Sequence, residues 1–388
     1  MSARSFWPVF MIGGLLLSPA ATVNCSGDEE DVVTATVSTY TSIVLAGYSD
    51  SLAALNTLIG AIDAFVKEPS DAALSEAKGK WIAARLPYLQ TEVFRFYDGP
   101  IDGKNGIESL INAWPMDEAY VDYVKGNPDS GVVNDPARYP DLTPKIIAEL
   151  NQREGEQNVS CGYHALEFLL WGQDLNADGP GARPLSDFTT ARNADRRKAY
   201  LKSSAALLKS HLESLVKEWE SGAPNYRQQF ESDPGSAIMN MFQGIMTLCS
   251  LELWGGRLVV AYESQAQEDE HSCFSDTTTN DIIYDVIGMR NVWRGSYART
   301  DGSRIDGTGL REVVRKIDRA TADSLDTALE EALTLAKAIP PPFDRAIQGD
   351  DDSPGRKAVA ALIDSLETTA GLMEKLAKTR KFQLLLLD

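Results

Sequence analysis

His164 stands three residues before Glu167 in the segment Cys161-Gly162-Tyr163-His164-Ala165-Leu166-Glu167-Phe168-Leu169-Leu170-Trp171-Gly172-Gln173-Asp174, and the chain has only three histidines. On a helix that spacing puts an imidazole and a carboxylate on one face, within reach of a common metal ion. The pair suits Zn²⁺, iron or manganese. Gly162, just upstream, would let another backbone or a ligand approach closely. Two ligands do not complete a site. There is no His-Glu-x-x-His motif, and Phe168 stands where the inverted form needs a second histidine. A third ligand must come from elsewhere, and spacing alone leaves a second reading open, a buried histidine satisfied by its neighbouring carboxylate.

Candidate companions lie in three places. Trp81, Arg85, Tyr88 and Glu92 advance by four, three and four, so they share one helical stripe, where Pro87 should kink or start the helix. Charges on an apolar stripe need partners. Glu92 either pairs with Arg85 inside a bundle or faces His164 as the third ligand. Glu252 lies in the apolar run Leu251-Glu252-Leu253-Trp254-Gly255-Gly256-Arg257, as a structural ion pair or as a site residue. The stretch Glu268–Asp276 is rich in acids; it reads as a solvated helix end, or as a segment folded over the site in which Asp269 or His271 completes a metal shell. His211, among Lys209, Glu213 and Lys217, reads as a surface residue. Asp174-x-Asn176-x-Asp178-Gly179 opens like a calcium loop, but Leu185 replaces the bidentate Glu that should close it, so calcium is not expected.

The elements that must position these residues are helices. Val44, Tyr48, Leu52, Leu55, Ile59, Ile62 and Val66 step by threes and fours, and similar stripes run over 325–336 and 359–373. No segment sustains the alternation of a strand. Breaks at 127–144, 172–184, 268–280, 295–309 and 340–354 separate the helices, as in bundles. A length of 388 residues implies two domains, an N-terminal bundle over 36–185 and a C-terminal one over 186–388. With 37 Lys+Arg against 56 Asp+Glu the net charge is −19, which excludes nucleic acid as a partner. No unbroken apolar run reaches the roughly 20 residues of a membrane span. Residues 1–25 read as an export signal: Arg4, the apolar stretch Phe6 to Leu17, and Ser18-Pro19-Ala20. Cys25 is a candidate for lipidation, followed by an acidic tether over 26–35, which would give a lipid-anchored protein of the periplasm or cell surface.

Gly162-x-His164-x-x-Glu167, followed by Phe-Leu-Leu-Trp-Gly-Gln-Asp, resembles the signature of the imelysin family, in particular its iron-regulated protein A branch. The segments Trp81–Phe96, Gly99-Pro100-Ile101-Asp102 and Gln267–Asp276 agree with it, so the resemblance spans roughly 36–388. It implies an all-α protein of two similar four-helix bundles with a site at their interface, exported and tied to bacterial iron uptake. His164 and Glu167 become the leading ligands for iron or an iron-bearing ligand, with Glu92 third. Gly162, Arg85, Tyr88, Asp102, Glu252, Arg257, Asp269 and His271 would bind or support, and other envelope iron-uptake components would be partners. Two alternatives follow: a zinc-dependent metallopeptidase using His164 and Glu167, since the family was once classed among peptidases, and a surface interaction protein whose His-x-x-Glu is structural. Cys161 and Cys249 each precede a candidate residue by one turn, so a disulfide between them would staple the bundles beside the site. It would stabilise by about 4 kcal/mol.

Overall fold

Helix α1 (Gly27–Lys67) is 41 residues long, about 60 Å at 1.5 Å per residue, and stops where Glu68-Pro69 cannot continue it. Its buried face is Val37, Tyr40, Val44, Tyr48, Ser51, Leu55, Leu58, Ile62 and Phe65, spaced throughout by three or four residues. Beyond Leu55 this face has rotated by one residue from the expected stripe: Leu58 and Phe65 are fully buried, whereas Ile59 and Val66 are half-buried. The structure, a computed structural model, describes residues 27–176, 179–379 and 382. The export signal, Cys25 and Asp178 of the calcium-like loop lie outside the described residues.

Helix α2 (Asp71–Leu89) begins at Ser70, whose side chain accepts from the Ala73 amide at 3.2 Å, and carries Pro87 in its last turn. The remaining long helices are α3 (Gly162–Trp171), α4 (Ala194–Trp219), α5 (Pro234–Thr247, running on to Ser264), α6 (Thr278–Arg294), α7 (Leu310–Ile317), α8 (Arg319–Ala338) and α9 (Pro354–Ala377). In the middle of α5, Leu248–Val259 widens into a π-helix. A two-stranded antiparallel hairpin, β1 (Ser296–Ala298) with β2 (Arg304–Asp306), is the only sheet among the described residues.

By packing, α1, α2, α3 and α4 form one set of helices, and α5, α6, α8 and α9 another; α6 lies on α2, and α1 reaches across to α5 and α7. The boundary expected at 185/186 does not follow this division. Helix α4 packs on α1 and α3, so it belongs with the first set. Much of 90–161 is short turns rather than the single break expected at 127–144. A buried ion cluster holds part of it: Asp122 accepts from Arg183 Nη1 at 2.8 Å and from Arg197 Nε and Nη2 at 2.5 and 2.9 Å. Burial alone would raise Asp122, but the two arginines outweigh it and keep it below the usual carboxylate range.

Two helical spans, Asp31–Lys67 and Pro234–Ser264, are apolar and long enough to cross a membrane by length and composition, which a search for unbroken apolar runs misses. In the folded chain 50% of the first apolar stretch and 44% of the second are buried.

Cys161, Cys249 and Cys273 are free and buried, so the expected disulfide is not formed. The two thiols point to separate carbonyls, Cys161 to Leu110 and Cys249 to Leu366, each at 3.5 Å. Burial pushes both up to about 12, far from the thiolate that reacts. Native protein should therefore resist an aromatic disulfide reagent, and denaturation without reductant should release all three thiols. Retention of a Cys161–Cys249 crosslink in peptide mapping would contradict this packing.

Candidate ligand site around His164

Helix α3 starts at Gly162 because only glycine fits there. Its φ is +87°, and a Cβ would sit 2.4 Å from the Ile111 carbonyl oxygen. This close approach brings the 110–114 segment over the first turn, where His164 is fully buried. Its Nδ1 meets Glu167 Oε2 at 2.9 Å, so the three-residue spacing places both groups on one face. The other carboxylate oxygen, Oε1, accepts from the Ser275 amide at 3.0 Å and the Ser275 hydroxyl at 2.6 Å. Three of the roughly four acceptor positions of Glu167 are thus in use, and the contact to Nδ1 orients the imidazole.

The Glu268–Asp276 stretch is not a solvated helix end. It turns back from α5, and residues 270–275 are buried. His271 comes to 4.7 Å from His164, ring centre to ring centre and edge to face, and Trp114 lies 4.9 Å from His164 on another side. His271 Nδ1 pairs with Asp281 Oδ2 at 2.8 Å, which also accepts from Ser272 Oγ at 2.6 Å. Arg85 reaches Asp281 Oδ1 at 3.4 Å through Nη2 and bonds Asn112 Oδ1 through Nη1.

Burial, with His271 and Arg85 nearby, holds His164 well below the ordinary histidine range, and burial with Arg257 and Arg85 does the same to His271. Both rings are neutral at pH 7. Burial pushes Glu167 up to about 8 despite the Ser275 hydrogen bond. When Glu167 ionises, Nδ1–H of His164 donates to it, and Nε2 presents a lone pair. That Nε2 is buried without a partner. A carboxylate on one imidazole nitrogen and a lone pair on the other is the arrangement of a metal-binding histidine, and His164 reaches it once Glu167 has given up its proton.

Glu92 is elsewhere. Its Oε2 accepts from Arg95 Nη1 at 2.8 Å and Arg257 Nη2 at 2.5 Å, while Arg257 Nη1 donates to Asp285 Oδ2 at 2.6 Å. Burial would raise Glu92, but Arg95 and Arg257 outweigh it and hold it at about 2. The partner of Glu92 is not Arg85; its Oε2 faces the guanidinium groups of Arg95 and Arg257, and among the described residues Glu92 is not grouped with His164 as a metal ion would need. Glu252 pairs with Arg257 at 3.1 Å at the rim of this cluster, a structural role. Asp102 accepts from the Phe96 amide and, at 3.2 Å, the Gly99 amide, which ties a turn where Phe96 and Asp98 have positive φ. Asp269 is half-exposed, and its neighbour Glu270 is the buried acid. Tyr88 is buried with its ring 4.9 Å from Tyr163. His211 is half-buried, not a surface residue, and has the Leu110 backbone as a hydrogen-bond partner. Asp174 is spent on the Asn176 amide at 2.9 Å and on Gln267.

Ser275, Asn112, Trp114, Asp281 and Asp285 were not singled out from sequence. Asp281 and Asp285 carried a usable signal: they are four apart, in step with Ile282, Val286 and Met289 on the buried face of α6.

The chain is an all-helical protein with a buried imidazole–carboxylate site where α3, α6 and the 265–277 segment meet. It belongs to the imelysin family, whose model matches residues 44–373. An iron-regulated protein A precursor from Parabacteroides distasonis ATCC 8503 shares the fold with a TM-score of 0.66 at 20% identity, over 89% of this chain and 95% of that one. An imelysin-like protein from Psychrobacter arcticum 273-4 gives 0.59 at 17% identity, over 93% and 96%. No curated protein matches this sequence.

Proposed function

We propose that this is an exported binding protein of bacterial iron acquisition, which takes up iron, or an iron-bearing ligand, beside His164. The observation that carries the reading is the buried, neutral imidazole of His164, held at Nδ1 by Glu167 and unpartnered at Nε2. The name of the Parabacteroides relative records regulation by iron, which supports a role in iron supply. Among the described residues no three His, Cys, Asp or Glu side chains are grouped as a metal ion would need. His164, with His271 beside it, would supply only part of a coordination shell, so iron arriving with ligands of its own fits this site better than a bare ion. The zinc-peptidase reading gains no comparable support, because the protein ligands that hold a catalytic zinc are not grouped among the described residues.

Calorimetric titration of the purified protein with Fe²⁺, Fe³⁺ complexes and Zn²⁺, with metal analysis, tests the proposal. One iron per chain is expected. It should be lost in His164→Ala and weakened about 10–100-fold in Glu167→Gln, the usual effect of removing an orienting carboxylate. Failure of iron to bind in any form would refute it. A Glu167→Gln variant that binds normally but melts earlier would make the His-x-x-Glu structural.

A further inference from the structure

Hydrogen-bonding capacity in the buried polar region beside His164 does not balance. Arg85 Nε, Asn112 Nδ2, Arg95 Nε, Arg257 Nε and the hydroxyls of Tyr88 and Tyr163 are all buried and unpartnered. Unpartnered acceptors among the neighbouring carboxylates are fewer, Glu92 Oε1 and Asp285 Oδ1. Guanidinium and amide N–H groups can only donate. Buried donors are rarely left unpaired, because each has given up its water without a replacement.

The deficit is sharpest at Arg85. Its Nη1 is taken by Asn112 Oδ1, its Nη2 makes only the long 3.4 Å contact to Asp281, and its Nε has no partner. Nε and Nη2 form one edge of the guanidinium, with the two-pronged geometry that receives a carboxylate. The guanidinium is held in place, 5.1 Å from the Tyr163 ring centre and 5.9 Å from that of Tyr88. Asn112 cannot turn its amide round without pointing a donor at a donor, so its unpartnered Nδ2 stays beside the Arg85 guanidinium. Asp281 is shared with His271 and Ser272, which leaves it a weak competitor for Arg85. We infer that Arg85 and Asn112 form a receptor for the carboxylate of a small organic acid, next to the free Nε2 of His164. The inference rests on the iron reading for its consequence, that the cargo is an iron–carboxylate chelate. The anion's charge then offsets the cation's, and neither enters a buried site alone.

The test uses citrate as the probe. Purified protein is titrated anaerobically with ferrous chloride, then with iron plus citrate, and melting is followed with metal-free citrate. Alongside runs Asn112→Asp, nearly the same shape, in which the new carboxylate would satisfy Arg85 and repel an incoming one. Wild type should bind iron with citrate about tenfold or more tightly than iron alone, the factor that one charge-assisted hydrogen bond commands, and Asn112→Asp should erase the preference. Arg85→Lys, which keeps the charge and loses the edge, should erase it too if it folds. Equal iron affinity with and without citrate, or a preference that persists in Asn112→Asp, overturns the inference while leaving the iron reading intact. If no form of iron binds but citrate alone raises the melting temperature of wild type and not of Asn112→Asp, the receptor stands and the iron reading falls. Absence of both effects means that water satisfies these donors, and the inference fails.

Discussion

Arg257→Met should lower the unfolding free energy by roughly 3–5 kcal/mol, the cost of breaking a buried charge network from one side. Arg257 donates to Glu92 at 2.5 Å and Asp285 at 2.6 Å, and all three side chains are buried. Burial, with the Glu92 charge beside it, pushes Asp285 well up, so on losing Arg257 it can take a proton, whereas Glu92 stays ionised beside Arg95. Without Arg257, Glu92 keeps only Arg95, at 2.8 Å. Methionine fills much of the space, so lost packing contributes little and the unpaired carboxylate dominates. The double variant Arg257→Met/Glu92→Gln should recover most of the loss, since removing both charges removes the unpaired one. Chemical denaturation of the four proteins of this cycle measures the coupling. Additive losses would mean that the pair is not coupled and that Arg257 acts through packing.

These contacts also mark how far the sequence could be read. Helices announce themselves locally, since the three- and four-residue steps of α1 or α9 need nothing beyond one turn of chain. The same locality made the His164–Glu167 pair legible, because three residues on a helix decide it. Partners of buried charges are another matter. Arg257 lies 165 positions from Glu92, and Asp281 lies 196 from Arg85, so the choice between Arg85 and Arg257 for Glu92 is made by tertiary packing alone. Widening of α5 into a π-helix is similarly hidden, although the Gly255-Gly256 pair lies within it. Cys161 and Cys249 show the limit of reasoning by analogy of position. Each does precede a candidate residue by one turn, but His164 lies against His271 and Trp114 while Glu252 lies at the rim of the arginine cluster, and the two thiols meet different carbonyls.

Glu270→Gln should reverse a stability loss that wild type suffers in alkali. Glu270 is fully buried, with only the Thr278 hydroxyl near enough to favour its charge, and burial, together with Asp344, Asp276 and Asp174, pushes it up to about 9. In the unfolded chain it titrates near 4.5. The folded state therefore holds a proton that the unfolded state has released across that interval, and stability falls as pH rises. The contribution is complete below about 4.5 and gone above about 9, a span of roughly 6 kcal/mol at 1.36 kcal/mol per unit. Asp276, raised to about 7 by burial and by Asp174 and Asp344, adds a fall of the same sign. Melting temperatures at pH 5, 7 and 9 should drop steeply for wild type and much less for Glu270→Gln, which should be the more stable protein at pH 9. Parallel profiles would show that Glu270 is ionised and paired in solution. The consequence reaches the site: Glu270 adjoins His271, and the same segment supplies Ser275 to Glu167. Charging Glu270 strains the chain that holds the His164 imidazole in place, so the alkaline limit of ligand binding should follow the alkaline limit of folding, and both should move up together in Glu270→Gln.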